Sequence, residues 1–446
     1  MADFSAHLQG IDWDLISSYG GLLSMATFSI YAGSYGSLPN PKPNRAEKRP
    51  SDKDIDDDEA EDGEHMTLGD AYLFPIIGSF ALVGLYLIVK FFGKEWINWF
   101  LGWYFSLAGV GSVWKSSISL LRYTLGESRW KRFEKFTVKA KKGHNRLFSL
   151  SLRTPSLVLL PISVVPSGLY HFWTSTTRGG IGRSALVTDI LGLSFSHNAL
   201  ALLKLDSFKT GCILLSGLFV YDIWWVFGTE VMVQVATKLD LPIKILWPKS
   251  LLFSSARGFT MLGLGDIVIP GTFVALALRY DYARYAHEVC SDSEHEPEPK
   301  SKVEKAVTDG HSKPRGTTKP AGATKLDEDA QVKFRRSAPK PYFFAALAAY
   351  VSGLVTTMLV MHVFHAAQPA LLYLSPACIV SFGLTALRRG EFADAWAWSD
   401  APEEDESEEQ KLKTVEAKES VMVEGIDTLS SRSATPKEVK HSGGRR

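Results

Sequence analysis

Stretches of 18 or more mostly apolar residues recur along this chain, separated by segments that are almost wholly polar or charged. As a helix rising about 1.5 Å per residue, a run of that length matches the ~30 Å hydrocarbon core of a bilayer. About nine such segments are expected by this length rule. They fall at 15–38, 71–92, 96–116, 157–173, 185–203, 211–236, 259–280, 342–364 and 369–387. The pattern excludes a string of soluble domains, although 446 residues would be enough for several. A net charge of +1 says little here, because both signs crowd into the loops. The expected fold class is therefore an all-α polytopic membrane protein of about nine transmembrane helices.

The segments between the spans differ in kind. Residues 1–14 form a short N-terminus without the basic region and small-residue site of a cleaved leader. A first bundle, 15–173, holds spans one to four, a mixed-charge loop at 41–64 expected to be disordered and a basic loop at 122–153. A second bundle, 185–387, holds spans five to nine and a long charged loop, 281–340, also expected to be disordered. The tail, 388–446, carries an acidic run and reads as disordered. Lys and Arg are densest after spans one, three and seven and in the tail, which places the N-terminus lumenal and the C-terminus cytosolic. The basic stretch 129–146 sets orientation and meets anionic membrane lipid, so nucleic acid is not an expected partner.

Two acids stand out. Asp222, in span six, and Asp266, in span seven, have no charged residue within seven positions on either side. An ionisable side chain deep in a span costs about 2.5–3.5 kcal/mol and faces the bundle interior or a water-filled cavity. Without a local Lys or Arg, each is the other's expected partner. If span seven starts at Phe259, Asp266 lies ~11 Å into the membrane and Asp222 ~17 Å from the other face, at closely matched levels. Paired carboxylates share one proton, so one takes a proton from an attacking water while the other donates to a peptide carbonyl. Gly263 and Gly265 allow close backbone approach, and Pro270 and Gly271 are expected to weaken the helix just beyond.

Other polar residues invite plainer readings. His197 and Asn198 in span five suit helix–helix hydrogen bonds, and Glu230 suits the membrane interface. His362 and His365 have no carboxylate or Cys beside them, and His287 and Cys290 make no zinc site. No metal and no cofactor is expected. The three cysteines make no disulfide framework.

At the acids the chain resembles the signal peptide peptidases, members of the Gly-x-Gly-Asp intramembrane aspartyl proteases related to presenilins. Tyr221-Asp222 matches the Tyr-Asp motif, Gly263-Leu264-Gly265-Asp266 the Gly-x-Gly-Asp motif, and Pro369-Ala370-Leu371, after Gln368, the Pro-Ala-Leu motif. The resemblance implies a presenilin-like fold and a catalytic pair of Asp222 and Asp266. It also implies an active-site lining of Tyr221, Gly263, Leu264, Gly265, Gln368, Pro369, Ala370 and Leu371. The implied substrates are signal peptides and other type II single-span helices, cut within the endoplasmic reticulum membrane. A homo-oligomer and membrane partners of a degradation pathway are left open. Two other readings compete: a proton- or cation-coupled transporter or channel using the same acids, and a non-catalytic chaperone that delivers helices for degradation.

Overall fold

The computed structural model describes residues 13–38, 65–130, 132–142, 145–176, 185–229, 231, 243–249, 259–294, 337–364 and 368–401. Most of the expected N-terminus, the loop at 41–64, Glu230, His365, the 295–336 part of the long loop and the tail from 402 lie outside the described residues. Among the described residues nine helices run 18 residues or longer. These are α1 (Trp13–Gly36), α2 (Leu68–Phe92), α3 (Lys94–Leu125), α4 (Thr154–Thr176) and α5 (Ala185–Leu202), then α6 (Phe208–Phe227), α7 (Gly265–Glu294), α8 (Pro341–Phe364) and α9 (Leu371–Arg389). The helices α2, α5, α6, α8 and α9 contain segments long and apolar enough to cross a membrane, by length and composition. The protein is thus helical and polytopic.

Local sequence explains where several helices start and stop. Thr67 and Asp70 form a capping box at α2, with the Thr67 amide donating to Asp70 Oδ2 at 3.0 Å. Gly93, at φ +82°, lets α2 turn straight into α3. Gly390, at φ +71°, closes α9 with a left-handed cap whose N–H reaches the carbonyls of Ala386 and Leu387. The short helix Phe392–Ala397, α10, follows.

The basic loop contains regular structure: α3 runs to Leu125, and β2 (Lys135–Lys142) pairs antiparallel with β3 (Asn145–Arg153). The alternation Phe136, Val138, Ala140 against Lys135, Thr137, Lys139 has the period of a strand, and that period prevails over the charge. The long loop and the tail also begin later than expected, since α7 continues to Glu294 and α10 follows α9. Finally, span seven does not begin as a helix. Residues Phe259–Gly263 form β6, antiparallel to β5 (Lys244–Pro248), and α7 starts at Gly265. The remaining sheet is a two-residue parallel pair of β1 (His65–Met66) and β4 (Lys204–Leu205).

The main core lies among α1 and α5–α9, and small residues set how closely they pack. A Cβ on Gly211 would sit 2.7 Å from the Phe273 ring, so α6 and α7 approach to contact there. A Cβ on Gly353 would sit 3.2 Å from Leu374 and 3.3 Å from the Tyr373 carbonyl, which brings α8 against the start of α9. Gly271 packs against Leu200 of α5 and Ile30 of α1 rather than breaking α7. His197 and Asn198 tie α5 to α3: Asn198 Nδ2 donates to Ser112 O at 2.8 Å, and His197 Nε2 lies 3.2 Å from Ser119 Oγ. Away from this core, α2 turns its apolar surface outward, with Phe80 and Phe91 each 76% exposed.

Candidate active site

Helix α6 brings Asp222 inward by simple periodicity. Leu214, Leu218 and Asp222 recur every four residues on its buried face, and Asp222 is only 4% exposed. The start of the helix is fixed by Ser207, whose hydroxyl accepts the Thr210 amide at 3.3 Å. Tyr221, the preceding residue, turns toward α2. A Cβ on Gly78 would lie 3.7 Å from its ring.

Asp266 arrives by a different route. It sits in the first turn of α7, directly after the strand β6, and is partly buried. The ~11 Å depth expected from a continuous helix therefore does not apply. Ile243 O accepts the Leu264 amide at 3.0 Å, and Leu264 O accepts the amides of Ile267 and Val268 at 3.1 and 2.8 Å. Residues Gly263-Leu264-Gly265 thus hang between a hairpin and a helix. The two glycines differ. A Cβ on Gly263 would come 3.5 Å from Asp266 Oδ2, so glycine keeps that flank of the carboxylate clear. A Cβ on Gly265 would meet nothing within 4 Å, and this exposed residue borders open space. Among the described residues, no backbone makes the close approach expected at the pair. Pro270 sits inside α7 without ending it. Lacking an N–H, it leaves the Asp266 carbonyl without its i+4 helical donor.

The third element comes from α9. Pro369 is buried outside the helix, as the missing N–H demands, with Gln368 partly buried before it. Ala370, at the N-cap, has no side-chain oxygen with which to satisfy the first amides of α9. The Leu371 amide, at the start of α9, acts instead on the Asp222 carboxylate. The positive end of a helix dipole favours a negative charge there. Asp222 and Asp266 interact electrostatically. Neither makes an ion pair among the described residues.

Two neighbours of this site carry no signal in the sequence. Tyr350 of α8 is fully buried within range of Asp266, and its hydroxyl has no hydrogen-bond partner among the described residues. The hairpin β5–β6 is the other. Its pairing joins segments separated by residues 249–258, so only the fold reveals it.

Two acids from two helices, with the start of a third helix beside one of them, form the core of the candidate site. A family model described as signal peptide peptidase matches residues 58–402, a span that includes all three elements. The chain belongs to the signal peptide peptidase family. A signal peptide peptidase of Mus musculus is 33% identical over 400 residues, covering 89% of this chain and 86% of its own length. One of Homo sapiens is 32% identical over 392 residues, covering 87% and 85%. A probable intramembrane protease of Schizosaccharomyces pombe is 29% identical over 393 residues, covering 88% and 98%. Membership makes this chain a multi-pass membrane protein and a protease. It also extends the resemblance beyond the second bundle, since the matched region reaches back to residue 58.

Proposed function

We propose that the chain is an intramembrane aspartyl endopeptidase acting through a dyad of Asp222 and Asp266. One carboxylate takes a proton from water as it attacks a peptide carbonyl, and the protonated partner donates to the carbonyl oxygen. The reading is supported by the electrostatic interaction of the two acids, one beside the start of α9 and the other beside the exposed Gly265. The start of α9 steadies the Asp222 charge, and the open flank gives substrate and water a way to Asp266. Pro369, Ala370 and Leu371 position substrate and Asp222 without acting as acid or base. The Tyr221 ring supports α6 from the α2 side.

The substrates proposed are signal peptides left after processing and other type II single-span helices. The relatives' names and the apolar, multi-helical setting both support this class. The proposed site is the endoplasmic reticulum membrane, with nine crossings, a lumenal N-terminus and a cytosolic C-terminus. An odd number of crossings puts the termini on opposite faces, and the basic loops point to the cytosol. The test is cleavage of a signal-peptide substrate by the detergent-purified chain. Wild type should cut within the apolar segment, whereas Asp222→Asn and Asp266→Ala should not. Cleavage that survives either substitution rejects the dyad. Ion flux in liposomes without peptide products would favour the transporter reading.

A further inference from the structure

A third buried acid lies on the far side of the Gly-x-Gly-Asp segment, and the proposed chemistry does not use it. Asp189 of α5 is 8% exposed, and its Oδ1 accepts the Leu246 amide of β5 at 2.7 Å. Leu246 pairs with Met261 across the hairpin, so its N–H, directed at Asp189, leaves by the outer edge of β5. Three residues along α5, on the same face, Gly192 lets the strand settle. A Cβ there would come 3.2 Å from the Lys244 carbonyl and 3.4 Å from Leu264 Cδ1. The hairpin ends at the pair Lys244 and Gly263, and the next amide, Leu264, is held by Ile243 O at 3.0 Å. Fixed contacts therefore run from Asp189 through Leu246, the Lys244 end of β5 and Leu264 to Asp266. The other end of the hairpin is held separately from α1. Ser18 Oγ lies 2.8 Å from Thr260 Oγ1, and Gly21 makes room for the Trp247 ring.

We propose that Asp189 is a positioning residue for the reaction: by pinning β5 to α5 it sets where Gly263-Leu264-Gly265 delivers the Asp266 carboxylate. The inference rests on the reading of Asp266 as a catalytic acid. A buried carboxyl in a span is expensive. An apolar residue here would leave the edge amide of β5 unpaired inside the protein, and that strand would move. Displacement of a reacting group by about 1 Å lowers turnover by up to about 10²-fold, while binding determinants elsewhere stay intact.

The experiment uses the full chain and a signal-peptide substrate, with kcat and KM measured separately and amide exchange followed by mass spectrometry. Asp189→Asn keeps an acceptor oxygen and should retain most of the wild-type kcat. Asp189→Leu should lower kcat by about tenfold or more with KM little changed, and should speed exchange in peptides containing Leu246 and Leu264. Gly192→Val keeps the acid but pushes on Lys244 and Leu264, and should also lower kcat. Cleavage by wild type that is lost in Asp266→Ala establishes the underlying reading, so a normal kcat in Asp189→Leu then counts against the anchor alone. An Asn variant as impaired as the Leu variant overturns the hydrogen-bond anchor, and a raised KM with normal kcat overturns the positioning role. Should the Leu variant fail to purify as a single species, a wild-type kcat in Gly192→Val overturns the proposal by itself.

Discussion

The two ends of the α6–α9 bundle each bury an aspartate near the start of a helix, yet their surroundings are opposite in character. At one end Asp281, fully buried, accepts the Phe343 amide at 2.9 Å and the Tyr342 amide at 3.4 Å, so α7 caps α8. Around it Arg284 meets Glu391 at 2.8 Å, Arg389 meets Glu391 at 3.2 Å, and Phe208 stacks on Phe382 at 4.1 Å between centroids. At the other end Asp222 lies beside the start of α9 and interacts with a second acid, with no cation paired to either among the described residues. One end is saturated and the other is not. Saturation by amides and arginines holds helices together, while an acid facing another acid is held ready to exchange a proton.

The sharpest way to break this comparison is to disrupt one residue at each end. Asp266→Asn should lower kcat by about 10²–10⁴-fold with little change in thermal stability, the scale of a lost acid or base. At the saturated end the effect should move from rate to stability. Phe382→Ala removes the ring stacked on Phe208 and should cost about 3–5 kcal/mol. A reduced melting temperature, with normal kcat in the molecules still folded, is the expected result. Equal loss of kcat and stability in Phe382→Ala would show that the two ends are not separable.

A finer form of the same contrast uses the caps themselves. Asp281→Ala leaves the Tyr342 and Phe343 amides without their acceptor and should cost about 1–3 kcal/mol of stability. Asp281→Asn keeps one acceptor oxygen and should recover part of that loss. Neither should change the site of cleavage. Denaturation followed alongside single-turnover cleavage separates these outcomes, and a cleavage site that moved would tie Asp281 to the reaction.

Much of this was legible in the sequence, for reasons that also explain the gaps. A span must be long and apolar, so α2, α5, α6, α8 and α9 could be found from length and composition alone. Asp222 and Asp266 were visible because an acid in such a stretch is conspicuous. The run Phe259-Thr-Met-Leu-Gly263 was misread as helix because a short apolar run has the same appearance in a buried strand and a buried helix. What makes it a strand is β5, a partner no local pattern announces. The same holds for Leu371. Pro369 declares a break in the helix, but only the packing of α9 on α6 brings the start of α9 beside Asp222. Pro270 and Gly271 were legible as helix breakers by type, yet α7 runs through them because Gly271 is used for packing against Leu200 and Ile30.

The smallest expected effect tests whether that placement matters. Pro369→Ala removes the ring that fixes φ and restores an N–H just ahead of α9. The unfolded chain gains freedom, so stability should fall by about 0.4–1 kcal/mol. If Pro369 serves only to end the preceding segment, that loss is the whole effect and kcat stays normal. If it also holds the start of α9 beside Asp222, the carboxylate gains alternative orientations and kcat should fall by about tenfold, near 1.4 kcal/mol. A rate loss larger than the stability loss is the signature that matters. It would show that the unsaturated end depends on orientation where the saturated end depends on packing, since the Ala variant leaves both acids and the whole of the Asp281 cluster in place.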